Sequence, residues 1–264
     1  SELTINITNK SIQIIEREIM NGYINNYDTI NLVGDIKRCR KEIEDVLGNL
    51  IAIEIMEQTS NKIVAKNFLD LNEVSISENI HRMDITIRSM IGDLKESFLK
   101  DIDNYDNISR LDNNVNKVRF LLYRVINKCM KNNSLEPYKF NSFIDLLNYR
   151  LVINNLEDVA DEIKRTSRFL RQSKLKKNEK EEVKKIYFKV EESYLNVMKA
   201  YYNKNKLLAH EVASQKYEII EGCRQLFKKH ENKNLSVILE KLKGTESFIR
   251  NIARVIIDDE SIIK

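Results

Sequence analysis

From residue 76 onward, apolar positions recur every three or four residues along stretches of more than twenty, and each stretch ends in a short polar break. That spacing puts the apolar side chains on one face of a helix with 3.6 residues per turn. It predicts six long helices, at 76–102, 105–133, 142–170, 178–203, 206–231 and 234–258. The breaks "DIDNYDN", "KNNSLEPYKFN", "SKLKKN", "NKN" and "HENKN" are rich in the Asn, Asp, Ser and Pro that favour turns. One amphipathic helix cannot hide its stripe, whereas three can close a shared core. Six such helices therefore divide into two antiparallel three-helix bundles.

Before residue 73 the period is shorter. "YDTINLV" (27–33) alternates polar and apolar positions like a strand, and "DIKRCRKEIEDVLGNL" (35–50) returns to helical spacing at Ile36, Ile43, Val46 and Leu47. "IAIEIMEQ" and "KIVAKNF" flank "TSN" as a hairpin would, and "NKSIQIIEREIMNGY" reads as a helix preceding the first strand. The expected fold is mainly α: a small α/β unit over 1–72, a first three-helix bundle over 73–172 and a second over 173–264.

Composition narrows the function classes. A single Pro and six Gly let long helices run without interruption. At 264 residues the chain can bury a sizeable core, and 42% hydrophobic against 32% charged residues excludes both a disordered chain and a membrane protein. No apolar run approaches the ~20 residues that span a bilayer and no leader opens the chain, so a soluble, cytoplasmic protein is expected. Ser1 in place of an initiator Met points to a trimmed end.

The net charge of +4 is too mild and too dispersed for a nucleic-acid binder. Cys39, Cys129 and Cys223 lack the spacing of a zinc site or a disulfide framework and read as buried thiols in a reducing compartment. "HEVAS" at His210 lacks the second His of a zinc-protease helix, and no phosphate-binding glycine loop or GxSxG elbow is present. No nucleophile with a partnered base can be named, so catalysis is not expected.

One acid pair stands out, in "NYRLVINNLEDVADEIKRTSRFL" (148–170). Val152, Leu156, Val159, Ile163 and Leu170 make the apolar stripe, while Glu157, Asp161, Lys164 and Arg168 share another face. Carboxylates four residues apart project side by side, so Glu157 and Asp161 offer two hard oxygen ligands that a neighbouring helix could complete through Asp112. Equally, Asp161 can pair with Lys164 or Arg165 on a solvated face, each pair worth ~0.2–0.5 kcal/mol. The basic run "KRTSRFLRQSKLKKNEKEEVKK" (164–185) reads as a helix end and linker, with docking of an acidic protein surface as the alternative. "IYFKVEESYLNVMKAYY" (186–202) is apolar over a wide arc, which suits core packing or a homodimer seal.

The stretch "LEDVAD", with Leu156, Glu157, Ala160 and Asp161 in place, resembles the helix motif of the PhoU phosphate-uptake regulators. The segments 43–76, 81–101 and 111–126 are similar to archaeal PhoU-related proteins. The resemblance implies duplicated three-helix bundles and a divalent or trivalent metal (Fe, Zn, Mn or Mg) on the first bundle at Asp112, Glu157 and Asp161. It also implies partnership with the phosphate transporter's ATPase or another phosphate-signalling protein. Two departures weaken the metal reading. Asn113 and Asn116 stand where further acids are expected, and Lys243 and Ser247 replace the acid pair in the last helix. Archaeal relatives often carry an AbrB-type DNA-binding domain ahead of the α/β unit. A transcriptional regulator whose DNA-binding part lies outside this sequence is therefore the alternative expectation, and a ligand-free helical scaffold a third.

Overall fold

The computed structural model describes residues 1–136, 140, 142–173, 175–230 and 232–259. The chain is mainly helical, with a small strand-and-helix unit at its N-terminus followed by long helices. Backbone packing divides it into two compact units, Ser1–Asn79 with Asn116–Leu146, and Ile80–Val115 with Leu147–Lys264.

The first unit is built on a four-stranded sheet. Strand β1 (Glu2–Asn6) leads through helix α1 (Ile12–Ile24) to β2 (Thr29–Val33), which lies parallel to it. A 3-10 turn (Ile36–Cys39) and helix α2 (Arg40–Gly48) come next, then the hairpin β3 (Ile53–Gln58) and β4 (Lys62–Asn67). The spatial order is β1-β2-β4-β3, with β4 antiparallel to both neighbours and a bulge between Ile55 and Glu57. Sequence spacing found the hairpin, α1, α2 and β2. It passed over β1, which is only five residues long and shows its alternation at Leu3, Ile5 and Ile7.

The pleat turns every second side chain of β2 and β4 to one face, where Ile30, Leu32, Ile63 and Ala65 meet Ile15 and Ile19 of α1 and Ile43 and Leu47 of α2. Each fully buried isoleucine there contributes about 2 kcal/mol. Gly34 ends β2 at φ +133, and a Cβ at that position would stand 2.9 Å from Ile7 Cγ1 and 3.3 Å from the Thr8 amide nitrogen. Only glycine fits that backbone without strain.

Helix α3 (Ile76–Lys100), helix α4 (Tyr105–Asn132) and helix α5 (Phe143–Gln172) each contribute to both units. In the first unit, Arg124 of α4 is 1% exposed. Its guanidinium lies 4.4 Å over the Tyr23 ring and donates to Asn67 Oδ1 at 2.9 Å and Asn26 Oδ1 at 3.1 Å. Asn26 donates back to the Arg124 carbonyl at 3.0 Å. A buried guanidinium needs such partners, and here a ring face and two amide oxygens supply them.

In the second unit, helices α6 (Lys177–Asn203), α7 (Lys206–His230) and α8 (Lys233–Asp258) pack pairwise on one another. The starts of α6 and α8 are tied together. Glu179 accepts the Lys176 backbone N–H at 2.8 Å and the Asn232 side-chain amide at 3.1 Å, while Asn232 Oδ1 accepts the Asn234 N–H at 3.0 Å. All six long helices end within two residues of their predicted bounds, because each break holds residues that compete with the helical backbone for hydrogen bonds. Among the described residues no helix is long and apolar enough to cross a membrane.

Candidate functional site

Helix α5 buries Val152, Leu156, Val159, Ala160 and Ile163, as its periodicity predicts. The charged side chains beside that stripe form a connected chain across three helices of the second unit. Lys164 donates to Asp112 Oδ2 of α4 at 2.6 Å and lies 2.9 Å from Asp161 Oδ1. The other oxygen of Asp161 is 2.6 Å from Arg165 Nη2, and Arg165 Nη1 donates to Glu162 Oε1 at 2.8 Å. Glu162 Oε2 reaches Lys241 of α8 at 3.5 Å.

Sequence reasoning named Asp112, Glu157 and Asp161. The structure brings Asp112 and Asp161 together across the Lys164 ammonium and leaves Glu157 half-buried one turn away. Among the described residues no group of three or more His, Cys, Asp or Glu side chains is placed to hold a metal ion. Burial works against the charge of Lys164, but hydrogen bonds to Asp112 and Asp161 raise its pKa above the ordinary lysine value.

Glu162 was missed. Its side chain is 9% exposed and lies against α8 where Gly244 omits a Cβ; a Cβ there would meet Glu162 Oε2 at 3.1 Å. A signal was available: a glycine inside a long helical pattern costs stability there, which points to a packing reason for it. The geometry makes this stretch an ionic seam joining α4, α5 and α8.

Two further buried acids escaped the sequence reading. Asp84 of α3 is 1% exposed and accepts from Tyr194 and Tyr202, both at 2.9 Å, and from Arg88 at 2.9 Å. Burial first, then the Asp84 carboxylate, pushes the Tyr194 and Tyr202 hydroxyls up, so both stay protonated donors. Tyr187 and Tyr194 are buried as the core reading of 186–202 anticipated, but their hydroxyls are fully used, with Tyr187 donating to the Ile91 carbonyl at 2.5 Å. Glu246 of α8 is completely buried, and the Ser193 hydroxyl of α6 lies 3.0 Å from its Oε1. Glu246 Oε2 has no hydrogen-bond partner among the described residues.

The basic run at 164–185 spends much of its charge internally. Arg171 sits 2.6 Å from Asp103 and 3.1 Å from Asp106, Lys180 pairs with Asp101, and Lys184 is 2.5 Å from Glu181. Arg171, Lys180, Ser97 and Ser167 line a cavity of about 260 Å³, but its own aspartates balance its two cations. All three thiols are buried, and burial pushes Cys129 up to about 11 and Cys223 up to about 12, so neither is a thiolate near neutral pH.

Fold and site together describe a mainly helical bundle protein in which ion pairs join α4, α5 and α8. Among solved structures it is similar to the crystal structure of PhoU from Pseudomonas aeruginosa, with a TM-score of 0.61 at 15% sequence identity. The match covers 69% of this chain and 93% of that one, and at this identity it establishes a PhoU-like fold. No family model matches the chain, and no curated protein matches it.

Proposed function

We propose that this chain is a regulator of phosphate uptake that works by docking on other proteins and turns over no substrate. The observation that supports the reading is the PhoU-like fold, shared over 93% of the bacterial protein. The ion pairs that join α4, α5 and α8 agree with it, because they make a rigid platform for docking. Within this reading the protein acts in the cytoplasm, and a homodimer presents the docking faces. The partner is the ATPase subunit of a phosphate transporter or another phosphate-signalling protein.

Affinity purification of the tagged chain from phosphate-replete cells is expected to retain the transporter's ATPase subunit. Phosphate starvation should reduce the retained fraction severalfold. Equal recovery from a tag-only control would remove the proposed partner.

A further inference from the structure

We infer that Lys164 is the resident cation of the acidic site on α5: its ammonium takes the place where a metal ion would join Asp112 to Asp161, so a tethered charge clamps α4 to α5. A cation that bridges two carboxylates must lie within about 2–3 Å of an oxygen from each. Lys164 Nζ meets that condition, at 2.6 Å from Asp112 Oδ2 and 2.9 Å from Asp161 Oδ1.

The remaining geometry closes the site against a second cation. The Asp112 side chain is 2% exposed, and the outer oxygen of Asp161 is engaged by Arg165 at 2.6 Å. Within this set of ion pairs the three carboxylates of Asp112, Asp161 and Glu162 face the three cations of Lys164, Arg165 and Lys241, so the charges of these six side chains balance. A divalent ion entering here would have to expel Lys164 and still stand beside Arg165, gaining two carboxylates at the expense of like-charge repulsion. The donor set therefore fits an ammonium and not a metal. Unlike a bound ion, a tethered ammonium cannot be lost when metal is scarce, and this seam would hold whatever the metal supply.

The test is Mn2+ binding by full-length protein, read by electron paramagnetic resonance, together with thermal melting in the presence and absence of Mn2+. Wild type is expected to show no Mn2+ site tighter than about millimolar at this position and no Mn2+-dependent rise in melting temperature. Lys164→Met, which keeps the aliphatic stem, should melt several degrees lower and gain a Mn2+ site at least tenfold tighter than wild type. Adding Asp112→Asn to that variant should remove the gained site. Lys164→Gln serves as the second variant if circular dichroism shows that the Met variant is unfolded. Wild-type Mn2+ binding that Asp112→Asn abolishes would overturn the inference, as would folded Lys164 variants whose Mn2+ binding is unchanged.

Discussion

Replacing Arg124 by Met is expected to lower the unfolding free energy by about 3 kcal/mol, from the terms for lost charged hydrogen bonds and a desolvated cation–π contact. The substitution keeps the aliphatic stem, so the loss reports the guanidinium. Asn26 Oδ1 and Asn67 Oδ1 would each lose a charged donor, and the Tyr23 face would lose its cation. The relief of no longer burying a charge offsets part of this, which is why the expected figure lies below the sum. At about 2–4 °C per kcal/mol for a chain of this size, the melting temperature should fall by roughly 10 °C. Urea unfolding followed by circular dichroism measures it. A loss below about 1 kcal/mol would show that water replaces the guanidinium without cost.

The second large effect is a pH dependence centred on Glu246. Burial between α6, α7 and α8 raises its pKa from 4.5 to about 8, and neither the Ser193 hydroxyl nor the nearby Lys216 charge offsets that. An acid that titrates higher when folded holds its proton more tightly in the folded state. The stability this contributes is present in full below about pH 4.5 and is lost as pH rises through about 8. Each unit of difference is worth about 1.4 kcal/mol, so the whole swing amounts to a few kcal/mol. Glu246→Gln cannot ionise and keeps the side-chain length. It should match wild type near pH 4.5, and its advantage should grow steadily to exceed wild type by several degrees of melting temperature at pH 8.5. Parallel pH profiles for the two proteins would show that the carboxyl is solvated and titrates normally.

The two stability effects bear on how much of the molecule its sequence disclosed. Helices α3 to α8 were legible to within two residues because their apolar period is long and their breaks contain residues that disrupt helices. Strand β1 was not, since five residues of alternation at the start of a chain carry little weight until β2 pairs with them in parallel. The acid pair on α5 was legible as a charged face; what occupies that face was not. Lys164 is three residues from Asp161, but only folding brings it to Asp112, 52 positions away in sequence.

Asp84 and Glu246 could have been found. Asp84 falls between Ile80 and Ile87, and Glu246 between Leu242 and Ile249, each on the apolar face of its own helix. A carboxylate inside an apolar stripe must be buried, and a buried carboxylate must find donors or keep its proton. Asp84 follows the first course with two tyrosines and an arginine, and Glu246 the second. Glu162 was harder, because it stands at the stripe's edge, where an acid reads as solvated until α8 covers it at Gly244.

The proposed function is that this PhoU-like body regulates phosphate uptake by binding the machinery that performs it. The most direct measurement is the initial rate of radiolabelled phosphate uptake in phosphate-replete cells lacking the chain, compared with the same cells carrying it on a plasmid. Severalfold faster uptake in the deletion strain, restored by the plasmid copy, is the predicted result. Uptake that is unchanged by deletion would contradict the claim.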